Sequence, residues 1–189
     1  PIAGVAAVGA VALALIQRRR TGRGAFVDLA QRETMAAMIG EAFVAASLRG
    51  EVPQHRGNRH HRFAPQGAYP AAGDDQWLAI SVTSDEEWRA LAQVIGAADL
   101  AGLSADQRRA RHDELDNVIA AWTRQQDPQQ AMELLQAKGV PAARVLDTDA
   151  IHHDPHLDAR QFWVKLPHPR MHAWKQPTTA LRLVEANPR

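Results

Sequence analysis

The chain opens on an unbroken apolar run, Ile2 to Ile16, in which Val5, Val8, Ala12, Leu15 and Ile16 hold helical spacing while their neighbours are also Ala, Val or Leu. A helix without a polar face is expected to be buried nearly all round. Thr21-Gly22-Arg23-Gly24 stops it, and Ala25 to Leu29, with Phe26 and Val27 beside the single charge of Asp28, is predicted as a short strand. A second helix is predicted from about Ala30 to Leu48, with Met35, Met38, Ile39, Phe43 and Val44 as its apolar stripe and Gly50 as its end. From Glu51 to Arg62 the apolar content collapses around Pro53, Gly57 and three arginines, the pattern of a linker or binding loop.

Beyond the loop, Gly67 to Pro70 and Gln76 to Val82 are strand-like runs joined by Ala71 to Asp75, which predicts a β-hairpin. Ser84 followed three residues on by Glu87 predicts a capping box, ahead of a helix that buries Trp88, Leu91, Ala92 and Ile95 and ends at Gly96. Two more amphipathic helices are predicted. One runs near Ala105 to Gln125 with Leu115, Val118, Ile119 and Trp122; the other runs near Pro128 to Lys138, with Pro128 in the first turn and Gly139 closing it. Pro141 to Leu146 reads as a strand, and the chain from Asp147 mixes helical turns with extended stretches, including Ala180 to Val184. Trp77, Trp88 and Trp122, among apolar neighbours, are expected in the core. The mixed order of strands and helices makes this an α/β or α+β chain.

Composition narrows the chemistry. At 46% hydrophobic and 23% charged over 189 residues, the chain is not disordered. It has no cysteine, which removes disulfides, thiolate metal sites and a cysteine nucleophile, and fits a reducing, cytoplasmic setting. A net charge of +1 advertises no nucleic-acid partner. The opening run is 15 residues, short of the ~20 that cross a bilayer. Its arginines, Arg18 to Arg20, follow the run instead of preceding it as in a secretory signal, so neither membrane nor export is expected.

His152 and His156 stand four apart with His153, Asp154 and Asp158 nearby, a spacing that could hold zinc from one helix face, but Pro155 disfavours that helix and no metal site is assigned. His168, set between two prolines, and His172 are expected to be solvated. Arg18-Arg19-Arg20-Thr21-Gly22-Arg23-Gly24 invites anions, yet neither nucleotide-loop glycine motif nor a Gly-x-Ser-x-Gly elbow is present. The loop Gly57-Asn58-Arg59-His60-His61-Arg62-Phe63-Ala64-Pro65-Gln66-Gly67 is richer. Cationic heads and amide donors on flexible backbone suit an anionic or carbonyl-bearing ligand, and equally suit plain solvation.

Taken in order, several segments resemble the family III CoA-transferases, the CaiB/BaiF group, which also contains α-methylacyl-CoA racemase. They are Ile2-Ala3-Gly4 with its Ala-rich helix, Arg19-Arg20-Thr21-Gly22-Arg23-Gly24, Val27-Asp28-Leu29, Gly57-Asn58-Arg59-His60, Ala64-Pro65-Gln66-Gly67-Ala68-Tyr69 and Trp77-Leu78-Ala79-Ile80. The likeness continues through Glu87-Trp88, Arg111-His112-Asp113-Glu114-Leu115-Asp116, Leu135 to Ala142, and Asp154 to Phe162, and so covers the chain.

The resemblance implies a subunit about twice this long, with a Rossmann-like large domain and a smaller α+β domain, in an interlocked homodimer. Residues 1–50 would end the large domain, 51–62 link, 63–147 form the small domain and 148–189 begin the return. It implies transfer of CoA from an acyl-CoA to an acceptor carboxylic acid through an aspartyl intermediate. CoA would be a substrate, and no further cofactor is implied. The family aspartate would stand immediately before Pro1, so no catalytic residue is assigned within the chain, which is expected to be inactive and prone to association alone. The loop expected to lie over the acyl group would contribute Asn58, Arg59, His60, His61, Gln66 and Gly67. Formyl-CoA transferase-like members carry a glycine run there, so oxalate-like substrates are not expected. A 2-methylacyl-CoA racemase of the same fold and a histidine-rich metal-binding or interaction module are the alternatives.

Overall fold

Ser84 and Asp127 each cap the backbone ahead of an apolar stripe, and two of the helices that pack the core grow from these starts, while Ser104 caps a shorter helix that buries Arg108. The protein is represented by a computed structural model that describes residues 2–50, 52, 54–167, 169–170 and 172–178. His168 and the predicted extended stretch 180–184 lie outside the described residues. The chain divides into two compact units between residues 56 and 57.

The first unit is helical. Its α1 (Ile2–Thr21) is followed by extended chain, α2 (Gln31–Met38) and α3 (Gly40–Arg49). The expected strand at 25–29 has no ladder partner and is not formed. The expected single helix at 30–48 is broken at Ile39, where Gly40 follows with its low helix propensity. Gly22, at φ +69°, closes α1 by donating to the Arg18 carbonyl at 2.9 Å.

The α1 helix is not buried, contrary to the expectation. None of its residues is buried, and only Ala3, Ala6, Ala7, Ala10 and Ala14, on the small-residue side, are half-covered. The helix runs beside α2, and one neighbour cannot cover a helix that is apolar all round. It is 20 residues long and apolar enough to cross a membrane by length and composition. Met35, Met38, Ile39, Phe43 and Val44 likewise face outward, while Ala42, Ala45 and Ala46 are half-covered.

The second unit has a core. A three-stranded antiparallel sheet, β1 (Gln66–Pro70), β2 (Trp77–Ser81) and β3 (Ala142–Arg144), places β2 in the centre. Helices α4 (Asp85–Val94), α5 (Ala105–Ala110), α6 (His112–Thr123) and α7 (Pro128–Ala137) follow the hairpin. Tyr69, Leu78, Ile80 and Val82 meet Trp88, Leu91, Leu115, Ile119 and Leu135 in one apolar cluster. The Trp88 indole N–H donates to the Leu100 carbonyl at 2.8 Å, so burying the ring leaves no orphan donor. Trp122 packs against the cluster, but Trp77, expected in the core, is 38% exposed and donates to Asp75 at 2.7 Å. It lies on the strand face opposite Leu78, where the period-two alternation turns it away from the helices.

The expected helix at 105–125 is two helices that break at Arg111, whose φ of −106° and ψ of +23° leave the α region. The expected capping box of α4 forms: Glu87 N–H donates to the Ser84 hydroxyl and Ser84 N–H to the Glu87 carboxylate, both at 3.2 Å. Short helices α8 (Thr148–His152) and α9 (Pro155–Ala159) and a two-stranded ribbon, β4 (Trp163–Leu166) with β5 (Trp174–Pro177), complete the unit.

Candidate functional site

Strand alternation sends Tyr69, Leu78 and Ile80 into the core and leaves the opposite face of the sheet to Gln66, Ala68, Ala79, Ser81 and Ala143. Ala68, Ala79 and Ala143 sit side by side across the three strands, forming a low floor. Over it lies an open cleft of about 790 Å³, walled by Gly57, Asn58 and Arg59 on one side and by Gln136 and Pro141 on another. The Ser81 hydroxyl donates to Gln66 Oε1 at 3.3 Å across the strands. Gln136 reaches from the end of α7 to the Ala142 carbonyl at 2.8 Å, which fixes β3 against that helix.

The loop wall is held by charge. Arg59 Nη2 donates to Asp113 Oδ1 and to Asp116 Oδ2, both at 2.5 Å, and the two carboxylates hold its proton more tightly than usual. Asp116 also accepts the Tyr69 hydroxyl at 2.8 Å. Burial raises the Tyr69 pKa, and the Asp116 charge adds to the shift, so the phenol stays a donor. His112, buried one turn before Asp116, accepts the Gln66 backbone N–H at Nε2, 3.3 Å away. Burial lowers its pKa against the pull of Asp116, and the Arg59 charge lowers it further, so the ring is neutral near pH 7 with its proton on Nδ1. Gly67 leaves room for this arrangement: a Cβ there would stand 3.1 Å from Tyr69 Cζ and 3.2 Å from its hydroxyl oxygen.

At the loop's end, Arg108, 2% exposed, donates to the Ala64 carbonyl and to Asp85 Oδ1, each at 2.7 Å, and to the Leu103 carbonyl at 2.8 Å. Its guanidinium stands 5.9 Å from the Trp88 ring centroid. The loop is thus pinned at Arg59 and again at Ala64, two positions that bracket the histidines.

Of the six residues expected at a substrate site, the fold brings Asn58, Arg59, Gln66 and Gly67 to the cleft. His60 and His61 do not line it. Their rings lie 4.3 Å apart, and His60 stacks on Phe63 at 4.7 Å. Sequence reasoning missed Ser81, Gln136 and Ala143 in the lining and the Asp113–Asp116 anchor behind it. The segment Arg111 to Asp116 carried family likeness and was the available signal for the anchor.

The histidines near the end of the chain do not share one helix face. His152 ends α8, Pro155 starts α9, and His156 belongs to the second helix. His152 stacks on Trp163 at 4.5 Å, and His153 Nδ1 lies 2.9 Å from the Asp149 carbonyl oxygen. Among the described residues, no group of three or more His, Asp or Glu could hold a metal.

The fold is one seen in solved structures of the CaiB/BaiF group. A crystal structure of a CaiB/BaiF family protein from Brucella suis superposes with a TM-score of 0.77 at 22% identity, over 94% of this chain and 51% of that one. Rv3272 of Mycobacterium tuberculosis superposes at 0.73 and 19% identity, over 96% and 48%.

The sequence profile of CoA-transferase family III matches residues 1–189, and the chain belongs to that family. A probable CoA-transferase of Mycobacterium tuberculosis, Rv1866, is 37% identical over 82% of this chain and 20% of its own length. The succinyl-CoA–D-citramalate CoA-transferase of Chloroflexus aurantiacus is 34% identical over 94% of this chain and 45% of its own. The chain therefore spans less than half the length of these relatives.

Proposed function

We propose that the protein to which this chain belongs moves CoA from an acyl-CoA thioester to an acceptor dicarboxylic acid, and that the cleft over β1–β3 covers the acyl or acceptor chain. The observation that carries this reading is the family match along residues 1–189. The substrate class follows relatives whose names specify succinyl-CoA with D-citramalate or mesaconate.

In this reading an aspartate carboxylate, placed by family likeness immediately before Pro1, attacks the thioester carbonyl. The C–S bond breaks, CoA thiolate leaves, and it then attacks the aspartyl carbonyl of the mixed anhydride to give an aspartyl-CoA thioester and free acid. The acceptor carboxylate runs the same steps in reverse. A carboxylate is a weak nucleophile in water, so the site must exclude water and offer fixed donors to the developing oxyanion. Asn58 and Gln66 are uncharged donors at the wall and floor of the cleft, and they can orient a substrate carboxylate. CoA is a substrate here. The outward-facing Met35, Phe43, Val44 and Leu48 would be covered by the rest of the subunit and a second copy of it.

The test is CoA exchange by the full-length protein, with succinyl-CoA as donor and mesaconate, citramalate, glutarate or oxalate as acceptor, followed by chromatography of the thioesters. A new acyl-CoA from a larger dicarboxylate, oxalate being poorest, and a hydroxylamine-trapped aspartyl hydroxamate are expected. Racemisation of a 2-methylacyl-CoA with no acceptor acid, and no exchange with any acid, overturns the reading.

A further inference from the structure

An arginine at the mouth of a cleft that is to take a carboxylate looks like the group that binds it. The geometry around Arg59 points elsewhere. One nitrogen, Nη2, already donates to two carboxylates, Asp113 and Asp116, at 2.5 Å each. The cluster of one guanidinium and two carboxylates carries a net charge of −1, so it offers an anionic substrate no attraction as a unit. Leaving it would also strip Asp116, which is 27% exposed and holds the Tyr69 hydroxyl at 2.8 Å. Hydrogen bonds to a charged group of this kind are among the costlier ones to abandon.

Sequence distance shows what the contact accomplishes. Asp116 lies 57 positions from Arg59, on a helix whose His112 is bonded to the backbone of Gln66. Helix α6 therefore grips both the loop that bears Asn58 and the strand that bears Gln66, and these two residues line the same cleft.

We propose that Arg59 is a positioning residue: it latches the 57–63 loop to α6 through Asp113 and Asp116 and so holds Asn58 over the cleft, while the substrate carboxylate is met by the Asn58 and Gln66 amides. The part concerning substrate rests on the proposed CoA transfer, whereas the latch itself does not.

The two roles of Arg59 make opposite forecasts for its partners. If Arg59 bound substrate directly, neutralising Asp116 would release it and lower the acceptor KM. As a latch, Arg59→Ala and Asp116→Asn should act alike, each raising the acceptor KM ~10-fold, the scale of one lost hydrogen bond to a charged group, with kcat within about twofold. The double variant should be no worse than either single one, because both break one device. Asp113→Asn, on an exposed side chain, should give a smaller rise of ~2-fold, and Arg59→Lys should recover part of the loss. Hydrogen exchange in the full-length protein supplies a readout without turnover: amides of residues 57–63 should exchange faster in Arg59→Ala, while those of α4 keep wild-type protection.

A lower KM in Asp116→Asn, additive single effects, or unchanged loop exchange in Arg59→Ala overturns the latch. A wild-type protein that transfers no CoA overturns the functional reading alone, and loop exchange then still decides the latch.

Discussion

The two units of this chain use similar apolar residues to opposite ends. In residues 57–178 the large side chains turn inward, and Leu78, Trp88, Leu91, Leu115 and Ile119 are wholly buried. In residues 2–56 the small ones turn inward, and Val8, Leu13, Phe43 and Leu48 face out, with Phe26 94% exposed. Apolar content alone thus does not make a core. The second unit can close one because its sheet and helices offer facing surfaces, whereas the helices of the first unit half-cover mainly their alanines and leave the larger residues exposed.

The strongest way to sharpen this contrast is to truncate one large apolar side chain in each unit. Trp88→Ala should cost ~3–5 kcal/mol through cavity and transfer terms, read as a lower denaturation midpoint, while Val8→Ala in α1 should stay within ~0.5 kcal/mol. Equal losses would mean that α1 is packed in the folded chain. Arg108→Ala should cost ~2–4 kcal/mol, because it removes a buried side chain and strands the Ala64 and Leu103 carbonyls, while Asp85, 53% exposed, turns to solvent. Gly67→Ala should cost less, ~1–3 kcal/mol, and should loosen the Tyr69–Asp116 bond, visible as a shift in tyrosine fluorescence or exchange.

A pH scan separates the units next. His112 is held below its ordinary value of 6.5 by burial first, so the unfolded chain takes up a proton that the folded chain refuses as pH falls through that value. Stability should be level above about pH 6.5 and decline below it. His112→Gln should flatten part of that decline between pH 6.5 and 5.5 relative to wild type in parallel thermal melts, and an identical slope in both proteins would contradict a neutral His112. The smallest effect belongs to the outward face. Phe26→Ser with Leu48→Ser should leave the melting temperature almost unmoved yet reduce self-association in sedimentation. Unchanged association would place the sticky surface elsewhere.

Legibility followed the range of the interactions. The Ser84–Glu87 box, the Asp127–Pro128 start and the β1–β2 pairing depend on residues within a turn or a hairpin of one another, and the pattern announced each of them. The breaks at Ile39 and Arg111 were not announced, because apolar spacing continues across both sites. Within the cleft, the loop residues Asn58 and Arg59 drew notice by type, while Gln136, Ser81 and the alanine floor are ordinary residues made relevant only by where strands pair. His60 and His61 show the converse: conspicuous in sequence, they stack beside Phe63 and leave the cleft to others.

What the chain's own letters determined is its local grammar, the caps, helix periods and hairpin, together with a family likeness spread over many short motifs. Those features are set by contacts a few residues apart. The buried stripes of Trp88 and Leu91 and of Leu115 and Ile119 were legible, whereas tertiary structure alone decided that the large apolar residues of α1 to α3 face outward and that Arg59 is tied to a helix more than fifty positions away. Burial and ion pairing depend on distances in space, and a linear pattern holds no record of which distant carboxylate will close on a given guanidinium.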